Sequence, residues 1–519
     1  MRRLIPRSRR GSLVRFSIAA VIVIAFTATT TAVAGLLQFK QLVADISVSA
    51  PISHARITIP KPGNPQTILL IGSDHRIGEP FRQSNTDTMM LVHIDGGSST
   101  INVMSVPRDL KVEIPEGGGF ATDKINAAYS IGGPNLLVKV LKGVFPGLQI
   151  NHIIDVNFGG FEDLVNAIGC VYTDVDHRYY NNTAFTDYSS IDLQPGYQRL
   201  CGSDALSFVR FRHTDSDLVR NARQQDFLRW AKAQYSISQL ISHRDTLLRI
   251  FGKHTQTDSN LHTLDGLLNL FNLVAFSQGH SIKQIPFPAI FLPCASGATT
   301  TNALGQTTQI GAVTPCYVTA TDSAQAAAYR AFMRPTRPAA HPSNKGKKPR
   351  SRQPSAQSLA DANLTGDVSD GQAQAAKIAT SPSLPVYYPR AIAAGSRYCT
   401  DGTCSEGPIA NSYPRAYRIR ARNGVRFPAY RMTIVLNSLL GQYYGVQGTT
   451  WKKAPILSSP GATRTIHGKR LMEYFDGSKI TMVAWETGGA AYWISNTLTS
   501  NLTNAQMLGI AASLTRAHG

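Results

Sequence analysis

The chain has 519 residues, of which 43% are hydrophobic and 8% aromatic, a composition ordinary for a globular protein. This length exceeds what one hydrophobic core usually organises, so we expect two or three domains. The 52 Lys and Arg residues outnumber the 32 Asp and Glu residues, which gives a net charge of +20. A surface this basic favours anionic partners: nucleic acid, anionic lipid headgroups or anionic cell-surface polymers.

The N-terminus indicates which of these partners the chain can meet. Residues 1–15 form an arginine-rich tail, and residues 16–39 form an uncharged run long enough to cross about 30 Å of hydrocarbon. The tail should stay in the cytoplasm, which predicts a single-pass anchor in the cell membrane with the bulk of the chain outside. A cleaved signal peptide is the alternative, because Ala32-Val33-Ala34 resembles a cleavage site. The length of the apolar run favours the uncleaved anchor, and both interpretations argue against nucleic acid as a partner.

Cysteine usage agrees with export. The six cysteines are Cys170, Cys201, Cys294, Cys316, Cys399 and Cys404. An even number in an exported chain predicts disulfides, although six cysteines allow fifteen pairings. Pairing of sequence neighbours would join Cys170 to Cys201, Cys294 to Cys316 and Cys399 to Cys404. Six buried free thiols are the alternative.

After a proline-containing stalk at 40–65, residues 66–334 alternate strand and helix signals. The predicted strands cover residues 66–71, 88–94, 100–106, 152–156 and 171–175, and the predicted helices cover residues 136–144, 160–168, 217–240 and 264–275. The first strand is a continuous apolar run, typical of a strand buried on both faces. We therefore predict an α/β fold with a central, mostly buried mixed sheet that is covered by helices on both faces.

The composition changes near residue 334. Residues 335–383 are rich in Pro, Ser, Ala, Gln and basic side chains, which predicts a disordered linker. Residues 384–519 return to strand signals and end with a predicted helix at 503–514. Asn423-Gly424 and Asp476-Gly477 are strong turn signals between predicted strands. This part of the chain predicts a small C-terminal α+β module.

Two carboxylates lie at predicted strand ends. Asp74 follows the first strand and Asp87 precedes the second, so an antiparallel pair of strands would bring them together. Carboxylate oxygens suit Mg²⁺ or Mn²⁺, and Mg²⁺ keeps its other positions for water and phosphate. Either aspartate alone would more often serve an Asx turn or a helix cap. Their pairing close to arginines favours a metal site.

Three arginines near strand ends suggest a phosphate site, because guanidinium forks match phosphate oxygens in pairs. Arg108 closes the third strand, where a loop begins. Arg210 and Arg212 are two residues apart and would project to one face of an extended segment, as two contacts to one diphosphate require. A surface ion pair would explain Arg108 alone, and a solvated charged edge would explain Arg210 and Arg212.

A second polar set lies at the start of the long helix predicted from residue 217. Asp217, Arg220 and Gln224 share one helix face, beside an N-terminus that attracts anions. A helix cap and a surface salt bridge are the alternative explanation. Together with the arginines near strand ends, this set predicts a pyrophosphate substrate.

Residues 66–334 resemble the catalytic domain of the LytR-CpsA-Psr (LCP) family. The resemblance rests on seven motifs in the family's order: LLIGSDHR, NTDTMMLVHID, INVMSVPRDL, DKINAAYSIGG, NFGGFEDLVNAIGCV, LQPGYQRLCGSDALSFVRFRHTD and DLVRNARQQDFL. An N-terminal anchor with an external catalytic domain is also the family's arrangement. Cys170 and Cys201 resemble the actinobacterial branch, in which a disulfide would pin the loop between them.

The resemblance implies a phosphotransferase that moves a glycopolymer from a polyprenyl-pyrophosphate carrier to peptidoglycan and leaves a phosphodiester link. It implies that Asp74 and Asp87 hold Mg²⁺ (or Mn²⁺), and that Asp217 orients Arg220 or acts as base. The side chains that it assigns to the pyrophosphate are Arg76, Arg82, Arg108, Arg210, Arg212, Arg220 and Gln224. Among these, it implies a catalytic role for Arg108, Arg210 and Arg212 beside Asp217.

One position departs from the family pattern. Asn85 stands where many members have an arginine, and the nearby Arg82 is the candidate to replace it. The stretch from Tyr443 to Trp451 resembles C-terminal modules of actinobacterial relatives, and its aromatic residues suit either a carbohydrate-facing surface or a core.

Three other functions remain open at this point. The same site could use water as acceptor and hydrolyse a lipid pyrophosphate. The chain could instead be a non-catalytic wall-binding or regulatory membrane protein whose C-terminal module does the work. A DNA-binding regulator is suggested only by the basic charge, and export argues against it.

Overall fold

The computed structural model describes much of the chain after residue 50. The described residues are 51–52, 57–75, 79–182, 190–211, 217–236, 238–239, 243, 246–247, 250, 254–277, 279–292, 299–301, 307–309, 317–336, 362–378, 383–401, 403–404, 412–466 and 468–517. Within these ranges, no helix has both the length and the apolar character needed to cross a membrane. The predicted anchor at 16–39 lies outside the described residues.

The first domain alternates strands and helices, as the sequence predicts. Its strands are β1 Gln66–Ser73, β2 Thr86–Ile94, β3 Thr100–Ser105, β4 Lys111–Glu116, β5 Gly119–Lys124, β6 His152–Asn157, β7 Val171–Val175, β8 Tyr179–Asn181, β9 Ile191–Leu193, β10 Gly196–Leu200, β11 Thr255–Thr257, β12 Ser281–Gln284, β13 Ile290–Leu292, β14 Thr299–Thr301, β15 Thr307–Gln309 and β16 Tyr317–Thr319. Its helices are α1 Ile125–Val144, α2 Phe158–Ala167, α3 Gly202–Arg210, α4 Asp217–Gln234, α5 Leu264–Phe276 and α6 Asp322–Met333.

Six of these strands form a central sheet in the order β11-β6-β1-β2-β3-β12. The pairs β1–β2, β2–β3 and β6–β11 are antiparallel, whereas β1–β6 and β3–β12 are parallel. The sheet is therefore mixed, as predicted. Within it, β1 lies at the centre, which explains the uninterrupted apolar run in its sequence.

Helices cover both faces of this sheet. Leu69 and Ile71 of β1 enter one core, which they share with residues of α1 and α6. Ile68 enters the other core, where Leu228 of α4 and Leu273 of α5 pack. Because successive side chains of a strand point to opposite faces, one strand supplies both cores. The prediction of a mostly buried sheet with helices on both faces is confirmed.

The second domain is an antiparallel sheet with two helices. Its elements are β17 Leu364–Gly366, α7 Val368–Ala376, β18 Tyr387–Pro389, β19 Ala391–Ala393, β20 Arg397–Tyr398, β21 Arg415–Arg420, β22 Arg426–Asn437, β23 Gln442–Thr449, β24 Ala462–Ile466, β25 Lys469–Asp476, β26 Lys479–Thr487, β27 Ala490–Ser495, α8 Asn504–Ser513 and β28 Leu514–Arg516. The main sheet runs β20-β22-β23-β27-β26-β25-β24, with β21 beside β22. The α+β prediction is confirmed, and the turns at Gly424 and Gly477 have the positive φ of 85° and 60° that glycine permits.

The two faces of this second sheet pack against different partners. One face, with Tyr430 and Ile494, joins a core that includes α7 and α8. The opposite face, with Trp493, packs on Tyr172 of β7 and Tyr197 of β10 in the first domain. The second domain is therefore docked on the first through an apolar interface.

A buried ion pair lies at this joint between the domains. Arg431 of β22 donates to the carboxylate of Asp174 in β7 at 2.7 Å and to the backbone oxygen of Asp176 at 2.8 Å. The Arg431 side chain is fully buried, and Gln447 also donates to Asp174. Because the charge of Asp174 is compensated from the second domain, neither charge can be buried alone without a large cost.

Two of the three predicted disulfides lie within the described residues. The Cys170–Cys201 and Cys399–Cys404 bridges are confirmed, whereas Cys294 and Cys316 lie outside the described residues. The first bridge closes the segment that carries β7 and β10, the platform on which the second domain sits.

Two predicted spacers are shorter than expected. The linker prediction of 335–383 is wrong for residues 362–378, since β17 and α7 form there and Leu364 lies in the second core. The sequence of α7 is rich in Gln and Ala, as a polar linker is, and only its packing against the second core distinguishes it from one. The stalk prediction of 40–65 is wrong at Ile52, which enters the first core and pairs with Asp258.

We expect Arg431→Met to lower the free energy of unfolding by about 3–5 kcal/mol, because Asp174 would stay buried without its charged partner. Urea unfolding of the whole chain measures this change. The double variant Arg431→Met with Asp174→Asn should recover most of the loss, since no uncompensated charge remains. Arg418→Gln, on an exposed position of β21, is the control. If Arg431→Met unfolds like this control, the joint does not depend on the ion pair.

Candidate functional site

The antiparallel pairing of β1 and β2 brings the two predicted metal ligands to one edge of the sheet. Ser73 is paired with Thr86, so Asp74 begins the connection directly after β1 and Asp87 is the second residue of β2. The backbone N–H of Asn85 donates to the Asp74 carboxylate at 2.5 Å. This bond closes the base of the connection and holds Asp74 beside the start of β2.

Arg108 reaches Asp87 because of the register between β2 and β3. Met90 is paired with Ser105, and Val106 donates its N–H to Met89, which extends the pairing beyond the strand end. Arg108 follows in this register, and its guanidinium donates to the Asp87 carboxylate at 2.5 Å. The sequence prediction that Arg108 faces the site at the end of the third strand agrees with this contact.

Arg210 approaches the same carboxylate from a different direction. It is the last residue of α3, so the prediction of an extended segment that carries Arg210 and Arg212 is wrong at Arg210. The helical turn aims its guanidinium at Asp87, at 3.5 Å, and stacks it over the Phe158 ring at 3.8 Å. Phe158 begins α2, and no sequence motif indicates this cation–π contact.

Arg220 completes the group of arginines around Asp87. It lies in the first turn of α4 and is 1% exposed. Burial alone would raise the pKa of Asp87, but the guanidinium groups of Arg220, Arg108 and Arg210 outweigh burial and hold that pKa below its usual value. Asp87 is therefore ionised, and three cations around one anion leave an excess of positive charge at the end of the sheet.

Three consecutive side chains of α4 hold these arginines in place. Arg223 is buried and donates to the backbone oxygens of Phe208 and Phe211, which fixes the end of α3 that carries Arg210. Gln224 uses both amide hydrogens, one on Thr88 of β2 at 2.8 Å and one on the Val209 oxygen at 3.1 Å. Its neighbour Gln225 donates to Ser105, at the end of β3. These bonds give Gln224 a positioning role, and its contact with substrate stays a prediction.

A buried carboxyl supports the end of β1 from behind. Asp155 of β6 accepts hydrogen bonds from Ser73 at 2.7 Å and from the Tyr129 hydroxyl of α1 at 2.5 Å. Burial raises the pKa of Asp155 to about 6, against the two hydrogen bonds and with a smaller contribution from Asp74. The sequence does not predict this network, because an aspartate inside a predicted strand carries no sign of its partners.

The remaining predicted residues are only partly described. Arg82 is exposed in the connection between β1 and β2, and Asn85 contributes its backbone N–H to Asp74. Arg76 and Arg212 lie outside the described residues, and so does the side chain of Asp217, although Asp217 begins α4 as predicted. Their roles stay predictions.

The donor set at Asp74 and Asp87 suits a hard cation. No group of three or more His, Cys, Asp or Glu side chains that could hold a metal occurs among the described residues. Asp74 and Asp87 are two carboxylates, and Mg²⁺ is commonly held by one or two carboxylates when substrate phosphates and water supply its other ligands. An ionised Asp87 has lone pairs to spare beside its arginine contacts, so the residues present fit such an ion.

The raised pKa of Asp155 predicts a pH-dependent stability. The folded chain keeps this carboxyl protonated at pH values where the unfolded chain, with the ordinary value of 3.8, has released the proton. The free energy of unfolding should therefore fall as the pH rises from about 4 to about 6, and Asp155→Asn should remove this component. Unfolding in urea across this pH range measures it. Tyr129→Phe, which deletes a hydrogen bond to the carboxylate, should move the window upward, and identical profiles for all three proteins would contradict the assignment.

Comparison with known proteins identifies the family of this chain. The family model of the LytR_cpsA_psr family matches residues 31–307. TagU of Oceanobacillus iheyensis, a polyisoprenyl-teichoic acid–peptidoglycan teichoic acid transferase, is 34% identical over 209 residues, which are 39% of this chain and 61% of that protein. The probable cell wall biosynthesis protein LcpB of Corynebacterium glutamicum is 35% identical over 173 residues, 31% of this chain and 39% of that protein.

Among solved structures, that of protein gbs0355 from Streptococcus agalactiae is 23% identical, covers 52% of this chain and 86% of its own, and has a TM-score of 0.41. The chain spans less than two thirds of the length of both curated relatives. The family match covers more than half of the 519 residues and includes every site residue from Asp74 to Gln224. This chain belongs to the LytR-CpsA-Psr family.

Proposed function

We propose that this chain is a Mg²⁺-dependent phosphotransferase that moves a glycopolymer from a polyprenyl-pyrophosphate carrier to peptidoglycan. The observation that carries the proposal is the convergence of Arg108, Arg210 and Arg220 on Asp87 at one sheet edge. Three arginines around one carboxylate form a site for a multiply charged anion, and a diphosphate matches their paired N–H groups. The names of the teichoic acid transferases among the relatives support the same reaction class.

The arginines perform the main chemical task. In phosphoryl transfer, negative charge spreads over the phosphate oxygens while the bond to the leaving group breaks. Arg108 and Arg210 are 24% and 32% exposed, so their guanidinium groups are open to a substrate that enters from solvent. Asp87 keeps them oriented before the substrate arrives, which avoids reorganisation during the reaction.

Asp74 and Asp87 would hold the Mg²⁺ or Mn²⁺ ion. When bound, the cation supplies further charge neutralisation at the diphosphate oxygens. The proton of the incoming sugar hydroxyl requires a base, and we assign this role to Asp217, at the start of α4. The helix N-terminus there adds its own attraction for a phosphate.

The proposal includes the location of the reaction. The apolar run at 16–39 would anchor the chain in the cell membrane, with the N-terminus in the cytoplasm and the catalytic domain outside. The lipid-linked donor and the peptidoglycan acceptor are both accessible there. The two described disulfides support an extracytoplasmic position.

We expect Arg108→Ala and Arg210→Ala each to lower the transfer rate by about 10²–10³-fold, because each removes a charge that stabilises the transition state. Arg108→Lys should retain little activity, since an ammonium cannot present a planar fork. The assay measures transfer of a labelled glycopolymer from its lipid pyrophosphate to peptidoglycan. Arg418→Gln is the charge-matched control on the exposed side of β21. Near-normal transfer by either alanine variant would contradict the assignment.

Analysis of the products of the same assay distinguishes transfer to peptidoglycan from hydrolysis by water. Transfer leaves the label on peptidoglycan as a phosphodiester, whereas hydrolysis releases phosphorylated polymer even when peptidoglycan is omitted. Release at equal rates with and without peptidoglycan would identify the chain as a lipid-pyrophosphate hydrolase. Turnover of neither kind by the intact protein would favour a non-catalytic role in wall binding or regulation.

The two aspartates should respond differently to added metal. Asp74→Asn should raise the Mg²⁺ concentration for half-maximal activity, and excess Mg²⁺ should restore much of the rate. Asp87→Asn should not be restored, because it also removes the anion that gathers the arginines. Activity titrated against Mg²⁺ after chelation measures both. Equal rescue of the two variants would show that Asp87 serves only as a metal ligand, and full activity in chelator would exclude the metal requirement.

A further inference from the structure

A cavity of about 470 Å³ lies at the joint between the two domains, away from the arginines. The first domain contributes Tyr172 of β7 and Gln234 of α4 to its lining. The second domain contributes Arg422 and Asn423 from the β21–β22 turn, together with Phe427 and Trp451. The cavity therefore exists only when the domains are docked.

Three aromatic rings from both domains form its apolar wall. The rings of Phe427 and Trp451 are stacked, with centroids 5.3 Å apart and planes 6° from parallel. Tyr172 meets Trp451 edge-on at 5.4 Å. Phe427 and Trp451 are half-buried. Trp451 ends the aromatic stretch that begins at Tyr443, and the other two aromatic residues of that stretch, Tyr443 and Tyr444, are buried in the core. Trp451 is thus the aromatic residue of the stretch that can contact a ligand.

Hydrogen bonds fix this wall before any ligand binds. The Tyr172 hydroxyl donates to the backbone oxygen of Arg420 at 2.9 Å. Gln234 accepts from the Tyr172 backbone N–H at 2.9 Å and donates to its oxygen at 2.6 Å. A rigid aromatic wall with a few polar groups at its rim is the usual form of a site for an amphipathic ring such as a pyranose.

The positive charge at the cavity rim favours acidic over neutral carbohydrates. Arg422 lies on its rim, with its guanidinium 5.4 Å from the centre of the Tyr235 ring, and no acidic residue occurs among the described residues that line it. Next to Trp451, Lys453 is exposed, whereas the exposed Lys452 forms an ion pair with Glu486 at 3.7 Å. This distribution favours a sugar that carries a carboxylate or a phosphate over a neutral one.

The cavity and the arginine cluster are joined by one helix. Arg220 lies in the first turn of α4, and Ala233 and Gln234 of its last turn line the cavity. At about 1.5 Å per residue, the two sites are roughly 20 Å apart along this helix. A ligand in the cavity therefore does not compete with the pyrophosphate at the arginine cluster.

We propose that this cavity binds a peptide-free stretch of the acceptor's glycan strand, with the free lactyl carboxylate of a muramic acid beside Arg422 and a pyranose ring on Trp451. This inference rests on the proposed function. The donor is already held by its pyrophosphate and its lipid, whereas the acceptor hydroxyl carries no charge that Arg108, Arg210 and Arg220 could bind. A separate contact that holds the acceptor strand compensates for this, because the hydroxyl then attacks the bound pyrophosphate within one complex.

Binding of soluble glycans to the whole protein in detergent, measured by titration calorimetry, tests the proposal. The first probe is a peptide-free tetrasaccharide of alternating N-acetylglucosamine and N-acetylmuramic acid. The second is chitotetraose, which has the same backbone without the carboxylate. We expect the first probe to bind more tightly, and Trp451→Ala to weaken it by about tenfold or more. Arg422→Gln should reduce its affinity to that of chitotetraose, whereas Arg418→Gln should change nothing.

Other outcomes would overturn the proposal. Unchanged affinity in both Trp451→Ala and Arg422→Gln would remove the cavity as the site, as would failure of the intact protein to bind the tetrasaccharide. Because Trp451→Ala could loosen the joint, Arg422→Gln and Arg422→Glu provide variants at an exposed position, and thermal unfolding reports the fold. Preferential binding of the glycopolymer's phosphorylated repeat in the cavity would assign it to the donor instead.

The same titration separates this inference from the proposed function. Arg108→Ala should lower the transfer rate by about 10²–10³-fold but bind the tetrasaccharide as the wild type does. If Arg108→Ala loses the tetrasaccharide, the strand binds at the arginine cluster, and the cavity proposal falls while the transferase proposal stands. If tetrasaccharide binding depends on Trp451 but the intact protein transfers nothing, the transferase proposal falls alone.

Discussion

The attraction between Asp87 and three guanidinium groups is the interaction on which the site depends. Arg108, Arg210 and Arg220 come from three separate parts of the chain and would repel one another at this spacing without a shared anion. Asp87 therefore gathers them, and the charge that remains is available for a substrate. The same arrangement explains why the site forms before any ligand is present.

The scaffold holds this charge cluster with buried polar contacts. Arg223 and Gln224 of α4 join the end of α3 to β2, and Gln225 joins α4 to β3. On the other side, Asp155 fixes the end of β1 through Ser73. Each contact joins a neighbouring element to a strand or helix end beside Asp87 and its arginines, and such contacts keep a site rigid.

The second domain packs against the first through a buried interface. Its sheet buries one face on its own helices and the other on Tyr172 and Tyr197, within a segment that the Cys170–Cys201 bridge closes. The buried pair of Asp174 and Arg431 allows one docked arrangement, because any other would leave a charge without its partner. The docked domains place an aromatic cavity at the far end of the helix that carries Arg220.

The sequence by itself determined the class of fold, indicated a second, C-terminal module and predicted that Asp74, Asp87, Arg108, Arg210 and Arg220 belong to one site. Apolar runs, turn residues and family motifs are local signals, and they can be recognised in the sequence alone. Only the tertiary structure decided that Arg210 ends a helix, that Gln224 binds Thr88 and that residues 362–378 belong to the second core. Each of these depends on a partner distant in sequence, and the packing energy of that partner overrides local propensity.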